Sequence, residues 1–256
     1  GRISETRLRE HLLRLRSILE KVDVHVRLHL VEYKGTDESR YRLACLSDPI
    51  VDRVMFSQAD LERLGIIDQK QIDAGVRDIP TFRALVVDSQ ETAMTGTLGY
   101  FEGEIAVIDR KQTISYMKSV SKIDSEEAVR WVAWHELGHA LDEWRFRARA
   151  EKAPASIELN AILMPLAFTQ DPRAYFEDEV LKRLEINDKD DYYFQAAKGI
   201  VNGLYLYFNE KDSGVLLPDA MLLGNEKLDH ERLRRILEVI RARAPDELTE
   251  AAVVLY

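Results

Sequence analysis

Residues 124–152 read Asp124-Ser-Glu-Glu-Ala-Val-Arg-Trp-Val-Ala-Trp-His135-Glu136-Leu-Gly138-His139-Ala-Leu-Asp142-Glu-Trp-Arg-Phe-Arg-Ala-Arg-Ala-Glu-Lys152. Asp124 is placed to cap a helix, with Glu127 three residues on, so a helix is predicted over 125–150. His135-Glu136-Leu137-Gly138-His139 lies in its middle, an H-E-x-x-H match. Residues four apart share one helix face, so two imidazoles can reach a single ion. Glu136 then projects beside that ion, where a carboxylate can take a proton from water and return it to a leaving amine. Zinc is the expected ion, because two imidazoles and a carboxylate leave its fourth position open. Val132, Ala133, Trp134, Leu137, Ala140 and Leu141 surround the motif. A helix that apolar is expected to be buried, and buried His and Glu need a strong partner to offset their desolvation. Gly138 costs about 1 kcal/mol relative to Ala in a helix interior. A close approach of another chain segment, or of a ligand, would explain it.

Outward from that helix the pattern divides. Residues 4–21 carry Leu8, Leu12, Leu15 and Leu19 on one face, the spacing of an amphipathic surface helix. Residues 24–33 alternate as a half-buried strand does, which puts His25, Arg27 and His29 on one face. The alternation makes that face a solvent-facing stripe, with a two-His metal pair as its alternative. Strands are also expected over 40–48 and 82–89, with helix and loop over 49–78. The glycines at 96, 99 and 103 suggest a hairpin or a bulged edge strand over 96–110. Beyond 124 helices dominate, at about 157–168, 174–186, 191–208, 228–243 and 246–254, punctuated by prolines. The expected fold class is α+β: a mixed α/β lobe over 1–123, then the motif helix and an all-α lobe over 124–256. The two lobes can equally form one continuous domain.

The stretch HELGHALD resembles the active-site helix of the zincin metallopeptidases. The order of mixed sheet lobe, motif helix and helical lobe resembles theirs in outline. The metzincin continuation needs Gly and then His where this chain has Asp142 and Arg145, so that branch is excluded. The gluzincin pattern implies a Glu from a following helix. The best candidate is Glu158, 19 residues after His139 and set among Ile157, Leu159, Ala161 and Ile162. A Glu in that company needs a partner if buried. Glu177, Asp178 and Glu179 are the fallback ligands, although an acidic cluster at a helix start also reads as a solvated turn. Many gluzincins place an Asp four residues after the ligand Glu to steady a His. Here that position is Ile162, and Asp142 or Asn160 is the expected substitute. By the same resemblance, the segment around Tyr100 and Phe101 becomes an edge strand that pairs with an extended substrate. An oxyanion donor is implied in the helical lobe, with Tyr192, Tyr193, Tyr205, Tyr207 and His230 as candidates and none preferred.

The resemblance implies a zinc-dependent metallopeptidase, with His135, His139 and Glu158 on one zinc ion and Glu136 as general base. Its partner would be a peptide or protein substrate. Two alternatives stand beside it. One is a non-catalytic or occluded binding module that keeps the metal helix. The other is a deformylase-like zinc or iron amidohydrolase, in which Cys45, followed by Leu46-Ser47, would be a ligand.

Composition bounds these readings. The chain has 256 residues, Lys+Arg 36 against Asp+Glu 45, a net charge of -9, and 46% hydrophobic residues. That suits a folded globular chain. The acidic total argues against a nucleic-acid partner, and the basic runs 145–152 and 232–243 read as solvated helix faces. No apolar run is long enough to span a membrane. The single Cys excludes an internal disulfide, so any metal must rest on His and carboxylates with at most one thiolate. The chain opens Gly1-Arg2 without an initiator Met or a signal-like stretch. The expectation is a processed or excised domain, cytoplasmic or extracytoplasmic.

Overall fold

The computed structural model describes residues 5–34, 39–67, 82–89, 99–102, 105–120, 125–146, 154–214, 222–224 and 228–256. It is an α+β structure, a mixed sheet followed by a mostly helical C-terminal part. Helix α1 (Glu5–Leu19) leads into strands β1 (Val24–Lys34) and β2 (Ser39–Met55). A short helix α2 (Gln58–Arg63) precedes β3 (Arg83–Val87), β4 (Gly99–Glu102) and β5 (Ile105–Asp109). The helices α3 (Arg110–Val120), α4 (Glu126–Phe146) and α5 (Pro154–Phe168) follow. Helix α6 is one run in three pieces: Pro172–Tyr175, a π-helical turn at Phe176–Val180, and Leu181–Leu184. The chain closes with α7 (Tyr192–Ser213), α8 (His230–Arg241) and α9 (Pro245–Leu255).

The five strands lie in the order β1-β2-β3-β5-β4. Among the described strands only β3 and β5 are parallel. The long strand β2 serves two partners in turn. Its residues 39–49 pair with β1, and from Ile50 onward it pairs with β3, with an irregularity between Ile50 and Asp52. The β1–β2 ribbon therefore runs on past the rest of the sheet. The expected strand over 40–48 is too short, because Pro49 reads as a terminator. Here it begins the crossing from one partner to the next, and residues 50–55 are strand rather than helix or loop.

In β3 the run Ala84-Leu85-Val86-Val87 is buried on both faces. Ala84 and Val86 join Val54, Phe56, Ala106 and Ile108 under α4, while Leu85, Val87, Ile50 and Val107 cluster on the opposite face. Helix α4 meets the sheet through Val129, Ala133, Leu137 and Leu141, four positions each one turn apart. Ala128 and Trp131 turn the other way, into the core built from α5, α6, α7, α8 and α9. The motif helix is thus packed on two sides, as its apolar sequence demands.

Asp124 lies outside the described residues. The Ala128 amide donates to Ser125 Oγ at 3.3 Å, so Ser125 caps the helix. The Glu127 carboxylate accepts from the Thr169 hydroxyl and, at 3.2 Å, from the Gln170 amide. Trp131 Nε1 also donates to Thr169 at 2.9 Å. These bonds tie the first turn of α4 to the end of α5. Helix α3 was not anticipated; Asp109 caps it, accepting from the Gln112 amide at 3.0 Å.

His25 corrects another expectation. It is fully buried, opposite the equally buried Asp48 in the β1–β2 register, and does not belong to a solvent-facing stripe. No helix among the described residues is long and apolar enough to cross a membrane.

Candidate metal centre

Two helices bring the candidate ligands together. His135 and His139 lie one turn apart on α4, and Glu158 lies near the start of α5. The helices cross at Gly138. A Cβ there would stand 2.8 Å from Ala161 Cα and 2.8 Å from Met164 Cγ. The glycine therefore permits a backbone approach that no other residue allows, and it sits between the two His. The close approach anticipated at Gly138 comes from the protein's own chain.

At that crossing His135 Nε2 and His139 Nε2 are 3.1 Å apart, with the rings nearly perpendicular. Glu158 spans both: Oε2 lies 3.5 Å from His135 Nε2, and Oε1 lies 3.5 Å from His139 Nε2. The candidate ligand atoms all fall within 4.8 Å of one another, so this His-His-Glu group could hold a metal ion. Glu158 is only 9% exposed, as its apolar neighbours predict.

The electrostatics suit a cation. Burial holds His135 well below its ordinary 6.5, with the neighbouring His139 and Arg183 adding to the effect. Burial also lowers His139, against the opposing charge of Asp142. Neutral imidazole is the form that ligates a metal. Burial raises Glu158, with Arg183 pulling the other way. Burial pushes the Glu136 carboxyl up to about 7, helped by the charge of Glu158. Glu158 Oε2 is buried with no hydrogen-bond partner among the described residues, and so is His135 Nδ1. An orphaned carboxylate oxygen facing two imidazoles is costly as it stands. An ion on the three groups would remove that cost. The orphaned His135 Nδ1 is a departure from the usual metal site, in which the second ring nitrogen donates to a neighbour.

The other expected residues fall into place unevenly. Asp142 is buried and accepts from Asn160 Nδ2 at 2.9 and 3.0 Å, one carboxylate oxygen each. The two alternatives for a steadying group are therefore one bonded pair that crosses from α4 to α5. Glu177, a fallback ligand, is engaged elsewhere by a two-point pair with Arg241 at 2.6 and 2.7 Å. Asp178 and Glu179 share its π-helical turn, and neither joins the group of converging ligands.

Tyr100 and Phe101 lie on β4, at the edge of the sheet among the described residues, and α4 packs beside that strand. Their side chains lie outside the described set. Cys45 stands on β2 opposite Leu28, and its side chain is likewise not described. Among the oxyanion candidates, Tyr207 bonds Glu250 at 3.0 Å, Tyr205 sits in the helical core and Tyr192 is exposed. Burial raises the Tyr193 hydroxyl, which also feels the charges of Glu158 and Arg183.

One residue was missed altogether. Arg183, on the last piece of α6, reaches to 4.0 Å from Glu158 Oε2 and lies over the Tyr193 ring. In the sequence it is one charge in a Lys-Arg-Leu-Glu run within the helix expected over 174–186.

Set against family models, curated proteins and solved structures, the chain matches none.

Proposed function

We propose that this chain is a zinc-dependent metallopeptidase of gluzincin type. The observation that carries the reading is the convergence of His135, His139 and Glu158 from two helices, with Glu136 on the same helix as both His. That donor set suits zinc and leaves it an open position, as catalytic sites require. Bound there, zinc would supply Lewis acidity to a water and to a scissile carbonyl.

The chain's own groups do the rest. His135 and His139 offer Nε2, and Glu158 offers its carboxylate. The Asn160–Asp142 bonds keep α4 and α5 in register, so the three donors stay convergent. Glu136 takes a proton from the attacking water on its carboxylate. The water oxygen joins the carbonyl carbon, the C–N bond breaks, and Glu136 passes the proton to the leaving amine. Strand β4, which carries Tyr100 and Phe101 and ends the sheet among the described residues, is the surface on which an extended peptide would add as a further strand.

The experiment is direct. Dialysed protein should retain one zinc per chain and cleave a mixed peptide library. A chelator should stop the cleavage, and zinc should restore it. Bound zinc without cleavage under any condition would instead support a binding module built around a metal helix.

A further inference from the structure

Resting on that reading of the metal site, we infer that Arg183 is a positioning residue for Glu158, with Tyr193 as the shelf that holds the guanidinium in place. Arg183 Nη1 and Glu158 Oε2 face each other at 4.0 Å. Both atoms are buried, and among the described residues neither has a hydrogen-bond partner. Two orphaned atoms of opposite charge in one dry corner are costly apart and complementary together. A shift of about 1 Å brings them to charge-assisted hydrogen-bond distance. Glu158 would then present its remaining lone pairs to the two imidazoles in a fixed direction.

The surroundings hold Arg183 for that task. Its guanidinium carbon lies 5.0 Å from the centre of the Tyr193 ring on α7, within the range of a cation–π contact. Its side chain is 20% exposed, against 12% for Glu158. The π-helical turn at Phe176–Val180 lies just ahead of it in α6. One extra residue in a helical turn rotates every following side chain by about 100°, and such turns recur at functional sites. The turn thus separates two jobs within one helix. Glu177 points out to Arg241, while Arg183 points in to Glu158.

The charge of Arg183 also opposes a cation on the same three ligands. Orientation and repulsion therefore make opposite predictions, and substitution decides between them. Groups that orient a metal ligand typically change affinity by about 10–100-fold when removed. R183M should weaken zinc binding by about that factor, measured by competition with a chromophoric chelator. R183K keeps a charge and a donor without the fork, and should recover most of the loss. Y193L, which removes the shelf and leaves the guanidinium, should weaken binding in the same direction.

Unfolding in chelator shows that each variant still folds. If R183M fails that check, R183K and Y193L carry the test. R183M that binds zinc as tightly as wild type, or more tightly, overturns the inference, as does R183K no better than R183M. Wild type that binds no zinc removes the metal reading itself, a result distinct from wild type and R183M binding it equally.

Discussion

Replacing Gly138 with Ala perturbs the contact that brings the site together. The new Cβ would lie 2.8 Å from Ala161 Cα and 2.8 Å from Met164 Cγ. Carbon atoms rest at about 3.5–4.0 Å, so each contact is short by roughly 0.7 Å or more. Met164 can rotate its side chain away. Ala161 cannot yield without moving the backbone of α5, and it lies three residues from Glu158 on that helix. Overpacking of this kind costs about 1–3 kcal/mol. Ala regains about 1 kcal/mol over Gly from helix propensity. The net expectation is a loss of about 1 kcal/mol, a fall of about 2–4 °C in melting temperature for a domain of this size. Zinc affinity should fall further than stability, because the displaced helix carries the third ligand. Thermal unfolding in chelator gives the first number, and chelator competition gives the second. G138A with undiminished Tm and undiminished zinc affinity would refute the argument that α4 and α5 must touch here.

Three other consequences can be measured. In metal-free protein, the raised Glu136 carboxyl contributes stability that is present below its unfolded value of 4.5 and is lost as pH rises through about 7. E136Q never ionises, so under chelator it should gain on wild type from pH 5 to pH 8, by at most about 3 kcal/mol; a difference independent of pH contradicts this. N160A removes two bonds to the buried Asp142 and should cost about 1–3 kcal/mol in urea unfolding, together with zinc affinity. A neutral result would show that the pair does not hold the helices together. S125A should cost about 1 kcal/mol as the loss of a helix cap, and no loss would mean that α4 starts without it.

Legibility in the sequence followed the range of the physics involved. His135 and His139 could be read because a spacing of four has one meaning on a helix. Glu158 was expected through the gluzincin resemblance, which implies a Glu from a following helix, and a carboxylate among Ile157, Leu159, Ala161 and Ile162 is costly to bury without a partner. Glycine at 138 signalled a close approach, and the structure identified Ala161 as what approaches. Arg183 was hidden, because the π-helical turn changes the phase of α6 and so the face on which Arg183 falls. No period-based reading anticipates that shift.

Helix α3 was hidden by Thr113, Ile114 and Val120, which weaken helix propensity, although the Asp109 and Gln112 capping spacing was present. His25 misled for a different reason. Strict alternation assigns polar residues to solvent, whereas His25 and its cross-strand neighbour Asp48 are both buried.

In the reaction proposed above, Glu136 moves the proton of a zinc-dependent peptide hydrolysis. The most direct test is the cleavage rate of a mixed peptide library by wild type and E136Q, each carrying one zinc per chain. The account predicts cleavage by wild type and a loss of about 10²-fold or more in E136Q with zinc retained. Zinc-loaded wild type that cleaves nothing, or E136Q that cleaves as fast as wild type, would contradict it.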